Sequence, residues 1–143
     1  MKLQEHNLTT TQYLNGDPIR HAQSDEDWVE AGEKGEGAYC ISPTGGHLYN
    51  WYAVNDPRGI GRVPTDKEWD QVVDLESLQV CDGLRNDYGS FNYQGDYTAF
   101  WSSSSYYSSD FAWFRDLHSD FSDLDRNYDL KSYGFSVRCV EVG

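Results

Sequence analysis

Val63-Pro64-Thr65-Asp66-Lys67-Glu68-Trp69 reads as the opening of a helix, and the rest of the chain can be placed around it. Thr65 is the N-cap, and Glu68 three residues on completes a capping box, in which each side chain satisfies a backbone N–H that the first turn leaves open. Trp69, Val72 and Val73 follow at helical spacing, so that face is expected to enter the core. Upstream, Ser24-Asp25-Glu26-Asp27-Trp28-Val29 repeats the device. It has a serine cap, acidic residues in the first turn where the helix dipole favours them, and Gly32 as a stop. Residues 47–54 lie between these two helices, are rich in aromatics and follow the Gly45-Gly46 turn, so a strand is expected there.

Downstream the period changes from helical to two. Residues 113–118 alternate, with Trp113, Arg115 and Leu117 on one side and Phe114, Asp116 and His118 on the other. Residues 119–122 suit a turn, and residues 123–128 alternate again. Gly134-Phe135-Ser136-Val137-Arg138-Cys139-Val140 reads as a closing strand, with Phe135, Val137 and Cys139 facing one way. Residues 81–99 are rich in Gly, Asn and Asp and read as a long ordered loop. The sum is an α+β fold, two capped helices amid strands, in a single domain over residues 1–143. Parity then sets an expectation for burial. Trp101, Trp113, Leu117, Leu124, Phe135 and Val137 should be buried, while Phe114, Asp116, His118, Asp123, Asp125 and Asn127 should be exposed.

Composition narrows the function. At 143 residues the chain is long enough for one core, and its five Trp, eleven Tyr and six Phe compensate for a hydrophobic content of only 38%. No apolar run approaches the ~20 residues of a membrane helix. Residues 1–11 are polar, without a basic-then-apolar leader, which leaves a cytoplasmic, phage-borne or cell-surface setting open. The net charge of −13 argues against nucleic acid, whose phosphates need Lys and Arg to neutralise them. Cys40, Cys81 and Cys139 show no metal-ligand spacing; small buried side chains are the expected role, and a Cys40–Cys139 bridge is conceivable in an exported chain.

Residues 102–130 have an unusual palette: six Asp but no Glu, Gln, Lys or Met, although Glu occurs eight times outside the segment. One explanation is a solvated antiparallel pair with polar outer faces. However, Asp is depleted in strands, and Phe111, Phe114 and Phe121 would be costly on a wet face. The favoured explanation is a recognition surface, since Tyr and Phe offer contact area with few rotatable bonds and Ser, Asp and Asn offer adaptable hydrogen bonds.

Several segments carry a family resemblance. They are Asn7-Leu8-Thr9-Thr10-Thr11 with Gly16-Asp17-Pro18-Ile19, Ala38-Tyr39-Cys40, Leu48-Tyr49-Asn50-Trp51-Tyr52-Ala53-Val54, and the helix opening at residues 63–69. Trp101-Ser102-Ser103-Ser104 and the ending Tyr133-Gly134-Phe135-Ser136-Val137-Arg138-Cys139-Val140 complete the set. Together they resemble the Fibrobacter succinogenes major paralogous domain family. That resemblance implies a C-type-lectin-like fold, two helices around a twisted antiparallel sheet with the termini close together, and the helix opening and the ending are also similar to formylglycine-generating-enzyme domains. Where relatives often carry a Cys-Pro-Thr-Gly-Trp-His run, this chain has Arg58-Gly59-Ile60-Gly61-Arg62, so a cysteine is absent there.

Some proteins of this type are targets of diversity-generating retroelements. Randomised template adenines there turn Asn codons into many residues, but never into Glu, Gln, Lys, Met or Trp. The palette of residues 102–130 fits that restriction, with Trp113 expected as a fixed, core-facing residue. The resemblance implies that Tyr106, Tyr107, Asp110, Phe111, Phe114, Asp116, His118, Asp120, Phe121, Asp123, Asp125, Asn127 and Asp129 are display positions for a protein or other macromolecular ligand. The rival reading is a structural or adhesive module of a larger cell-surface assembly.

Neither metal nor cofactor is expected, and catalysis has little support. Asp123, Asp125, Asn127 and Asp129 imitate the first half of a calcium loop, but Tyr128 and Gly134 stand where an EF-hand needs Gly and Glu. On a strand these groups would lie ~6.5–7 Å apart. The sugar-binding Glu-Pro-Asn and Gln-Pro-Asp motifs of calcium-dependent lectins are absent. His6, His21, His47 and His118 show no paired ligand spacing, and the serine run 102–105 has no nucleophile elbow. Sulfatase-modifying relatives use paired cysteines near the chain end, whereas Cys139 stands alone.

Overall fold

The computed structural model describes residues 1–119 and 123–142. The fold is α+β. Its elements run β1 (Arg20–His21), α1 (Asp25–Lys34), β2 (Ala38–Ile41), β3 (His47–Tyr49), α2 (Trp51–Val54), α3 (Asp66–Trp69), a 3-10 turn at Glu76–Leu78, β4 (Leu84–Arg85), β5 (Phe91–Asn92), β6 (Tyr97–Ser105), β7 (Phe111–His118) and β8 (Asp125–Leu130). They form three sheets, ordered β1-β2-β3, β4-β5 and β6-β7-β8. Leu3 bridges Val140, so the segments next to the two termini lie side by side.

Both expected helices form where their caps predict. Ser24 accepts from the Asp27 N–H, and the Thr65–Glu68 capping box closes in both directions. Their ends differ from expectation. α1 runs through Gly32 to Lys34, and Gly35 caps it in the left-handed region at φ 66°. α3 is one turn long, so Trp69 is buried but Val73 lies beyond the helix and is 90% exposed. The expected strand over residues 47–54 is a three-residue strand followed by a further short helix. The cause is Asn50, which accepts from the Ala53 N–H as a cap and also bonds Ala38 N and Glu36 O. The expected loop over residues 81–99 contains β4, β5 and the start of β6. Residues 134–140 make single bridges to Arg85, Tyr49, Phe100 and Leu3 rather than one ladder, and Phe135, Val137 and Cys139 are all buried. The three cysteines are free thiols.

β6 and β7 are covered on both faces along most of their length, the end next to their shared turn excepted. On one side Trp101 and Phe114 pack with Phe135, Val137, Tyr49 and Trp51. On the other, Phe100 and Leu117 pack with Trp69 and Leu78, and Leu124 rests against them half-buried. A bulge in β6 explains the serine run. The register passes from Trp101↔Phe114 to Ser105↔Ala112, four steps along β6 against two along β7. The displaced serines join the sheet to its surroundings. Ser102 accepts from Trp51 Nε1 through its carbonyl (2.8 Å) and donates its hydroxyl to Trp113 O (2.7 Å). Ser103 N donates to Pro64 O (2.8 Å) and Ser104 Oγ accepts from Asp66 N (2.9 Å), which seats α3 on the bulge.

Candidate surface site on the outer face of the sheet

The β6–β7 turn brings Tyr106 and Tyr107 onto the outer ends of β7 and β8. The turn backbone is held without help from those side chains. Tyr106 N donates to Phe111 O (2.9 Å), Lys131 N to Asp110 O (2.8 Å) and Lys131 Nζ to Ser109 O (2.8 Å). Lys131 is itself buried, its ammonium 4.7 Å from the Trp51 ring centre. Burial pushes its pKa down, against the pull of Asp110.

In the β7–β8 ladder Phe111 faces Leu130, Trp113 faces Tyr128 and Arg115 faces Arg126. Opposed residues share a sheet face, so Phe111, Trp113 and Tyr128 come together with the two turn tyrosines. The result is a surface cluster of five rings. Tyr106 stacks on Tyr128 at 4.0 Å and meets Trp113 edge-on at 4.9 Å. Tyr128 lies 5.7 Å from Phe111 and 5.6 Å from Trp113, and Tyr107 lies 5.0 Å from Tyr106. Tyr107 is 91% exposed and Tyr128 47%. Tyr106, Phe111 and Trp113 are half-buried against one another.

Charged groups anchor one side of the cluster. The Arg126 guanidinium lies 3.5 Å from the Trp113 ring centre and donates to both carboxylate oxygens of Asp66. Buried Arg115 donates to Asp66 (2.9 Å) and Asp70 (3.0 Å). Burial of Asp66 opposes its ionisation, but hydrogen bonds from Arg126 and Arg115 outweigh that and hold its carboxyl below the ordinary value.

The expected display positions divide. Tyr106, Tyr107 and Phe111 lie in the cluster, and Asp110 is exposed beside it. Phe114 and Asp116, expected outside, are buried at 4% and 7%. Phe114 lies 4.3 Å from the Phe135 ring. Asp116 accepts from Tyr97 Oη (2.5 Å) and Asn127 Nδ2 (3.1 Å). Burial raises the Asp116 pKa, the Tyr97 hydrogen bond lowers it, and the charge of Asp125 raises it further. His118, Asp123, Asp125 and Asn127 are exposed as expected, and Asp129 is half-buried. Asn127 and Asp125 pair with Phe114 and Asp116 in the ladder, so they share the sheet face opposite the rings. Asp120 and Phe121 lie outside the described residues.

Trp113, expected in the core, is part of the exposed cluster. The assignment of residues 113–118 to two sides was correct, but the side facing the main core was reversed. Because both faces of β7 are covered along most of its length, alternation alone could not distinguish them; the pairing of Trp101 with Phe114 does. Leu117 is buried, but under α3, in the cluster on the opposite face from Phe135. Tyr128, Trp113 and Arg126 are the site residues that the sequence did not assign to a ligand surface. The β7–β8 register would have found them, because it sets Trp113 opposite Tyr128. Comparison with protein-family models, with curated proteins and with solved structures finds no match for this chain.

Proposed function

We propose that this protein is a non-catalytic binding domain of C-type-lectin type, the variable target of a diversity-generating retroelement, which holds a protein ligand on the five-ring cluster. The observation carrying this reading is the cluster itself. Five contiguous rings on the outside of a small domain form the kind of apolar patch that marks an interaction surface, and Tyr and Trp are the residues that dominate binding hot spots. The fold reading is supported by the motif series, the two capped helices and the paired terminal segments.

Scaffold and display depend on different atoms, as a variable surface requires. The turn is clamped by backbone bonds and Lys131, so Tyr106 and Tyr107 can change without unfastening it. Tyr106, Tyr107, Phe111 and Tyr128 belong to the residue types reachable by adenine randomisation. Trp113 does not, and it acts as a fixed anchor under Arg126. Phe114 and Asp116 pass from display to scaffold.

The genomic test is direct. A neighbouring reverse transcriptase gene with a near-copy of the DNA coding for residues 102–130 is expected, with mismatches at template adenines. A long multidomain surface gene without one would instead make this domain an adhesive module. For any ligand captured, Ala substitutions at Tyr106, Tyr107 and Phe111 should abolish binding while the melting temperature stays near wild type. Unchanged binding in all three would refute the site.

A further inference from the structure

The ring cluster lies in a field of uncompensated negative charge. The chain has 24 acidic residues against 11 Lys and Arg, and most guanidinium groups are occupied internally. Arg20 is held by Asp27, Glu30 and Glu36, Arg58 by Asp17 and Asp56, and Arg62 by Glu68. At the cluster, Arg115 and Arg126 are committed to Asp66 and Asp70, and Lys131 is buried. The nearby carboxylates are different. Asp110, next to Phe111, lines a cleft of about 280 Å³ with Glu33 of α1, Asp87, and the rings of Tyr52 and Tyr88. None of these three acids has an ion-pair partner among the described residues. Leu130, which faces Phe111 in the ladder, forms another wall, so the cleft adjoins the ring cluster.

Resting on the reading of the ring cluster as the ligand-contact face, we propose that the partner presents a cationic protein segment, with a Lys or Arg head in the Glu33–Asp87–Asp110 cleft and the chain beside it on Tyr106, Tyr107 and Phe111. Aromatic faces attract ammonium and guanidinium groups, and Arg126 over Trp113 already shows that contact within the chain. Carboxylates with no ion-pair partner among the described residues break no salt bridge when they accept an incoming cation, and the net charge of −13 draws a basic surface in from a distance. An acidic partner would meet repulsion on the same approach.

The test is to pan a random peptide library displayed on phage against the whole protein and to measure the affinity of synthesised winners. Enriched peptides should exceed the input library in Lys and Arg. Tyr107→Ala should weaken them about tenfold or more, as truncation of a hot-spot ring does. Asp87→Asn combined with Asp110→Asn should weaken them severalfold, with most of the loss also produced by raising the salt. Both carboxylates lie outside the core, so the double variant should melt like wild type. Winners that depend on Tyr107 but show no basic excess, or ignore both the double variant and salt, overturn this inference and leave the ring site standing. Ring-dependent binding of neutral glycans with no basic peptide enriched overturns it in the same way. Winners indifferent to Tyr107→Ala and Phe111→Ser, or no enrichment at all, overturn the ring site as well.

Discussion

Phe114→Ala tests the division between scaffold and display most sharply, because alternation placed Phe114 outside and the fold places it inside. Its ring is 4% exposed, 4.3 Å from Phe135 and 6.1 Å from Trp101 in centroid distance. Truncation removes most of a buried ring and leaves a cavity bounded by two aromatic neighbours that have little room to collapse. The expected loss is about 3–5 kcal/mol, a large share of the roughly 5–15 kcal/mol that holds a domain together. At roughly 3 °C per kcal/mol for this size, the melting temperature should fall by about 10–15 °C. Tyr107→Ala makes the contrast. That ring is 91% exposed, so the change should stay within about 0.5 kcal/mol. Urea melts of both variants, followed by tryptophan fluorescence and circular dichroism, give the two values. Equal losses, or a Phe114→Ala loss within about 0.5 kcal/mol, would refute the assignment of Phe114 to the core.

Further outcomes follow from other contacts. Asp66→Ala leaves buried Arg115 with Asp70 as its one remaining ion-pair partner among the described residues and releases Arg126, so a loss of about 3 kcal/mol is expected in a denaturant melt. Thr65→Ala breaks the capping box and should cost about 1 kcal/mol, while Thr65→Ser should cost much less. Stability should depend on pH through two opposed carboxyls. Burial raises the folded pKa of Asp116, so its contribution is full below the ordinary 3.8 and is lost as pH rises through the folded value. Asp66 is depressed, so its contribution is present above 3.8 and is lost as pH falls through its folded value. Melts of Asp116→Asn across the carboxylate range should show a smaller decline on the rising-pH side than wild type. Burial pushes the thiols of Cys40 and Cys139 up to about 11, so a thiol reagent should modify Cys81 in the native protein and reach the other two only in denaturant.

Local chemistry was legible in the sequence. Ser24, Thr65 and Glu68 predict helix starts because a cap satisfies backbone groups within three residues of itself, whatever the rest of the chain does. The alternation of residues 113–118 predicts a strand for the same reason, and the biased palette of residues 102–130 marks the region that carries the rings. Helix ends were less legible, since α3 stops after one turn and Val73 never joins the face that its spacing suggests. Only the tertiary structure decided which side of β7 meets the main core, because α3 covers one face and residues 135–137 the other, so both sides carry buried residues. It also assembled the site. Tyr106, Trp113 and Tyr128 become neighbours through the β6–β7 turn and the β7–β8 register, which pair residues by backbone hydrogen bonds between distant segments that a local pattern does not encode.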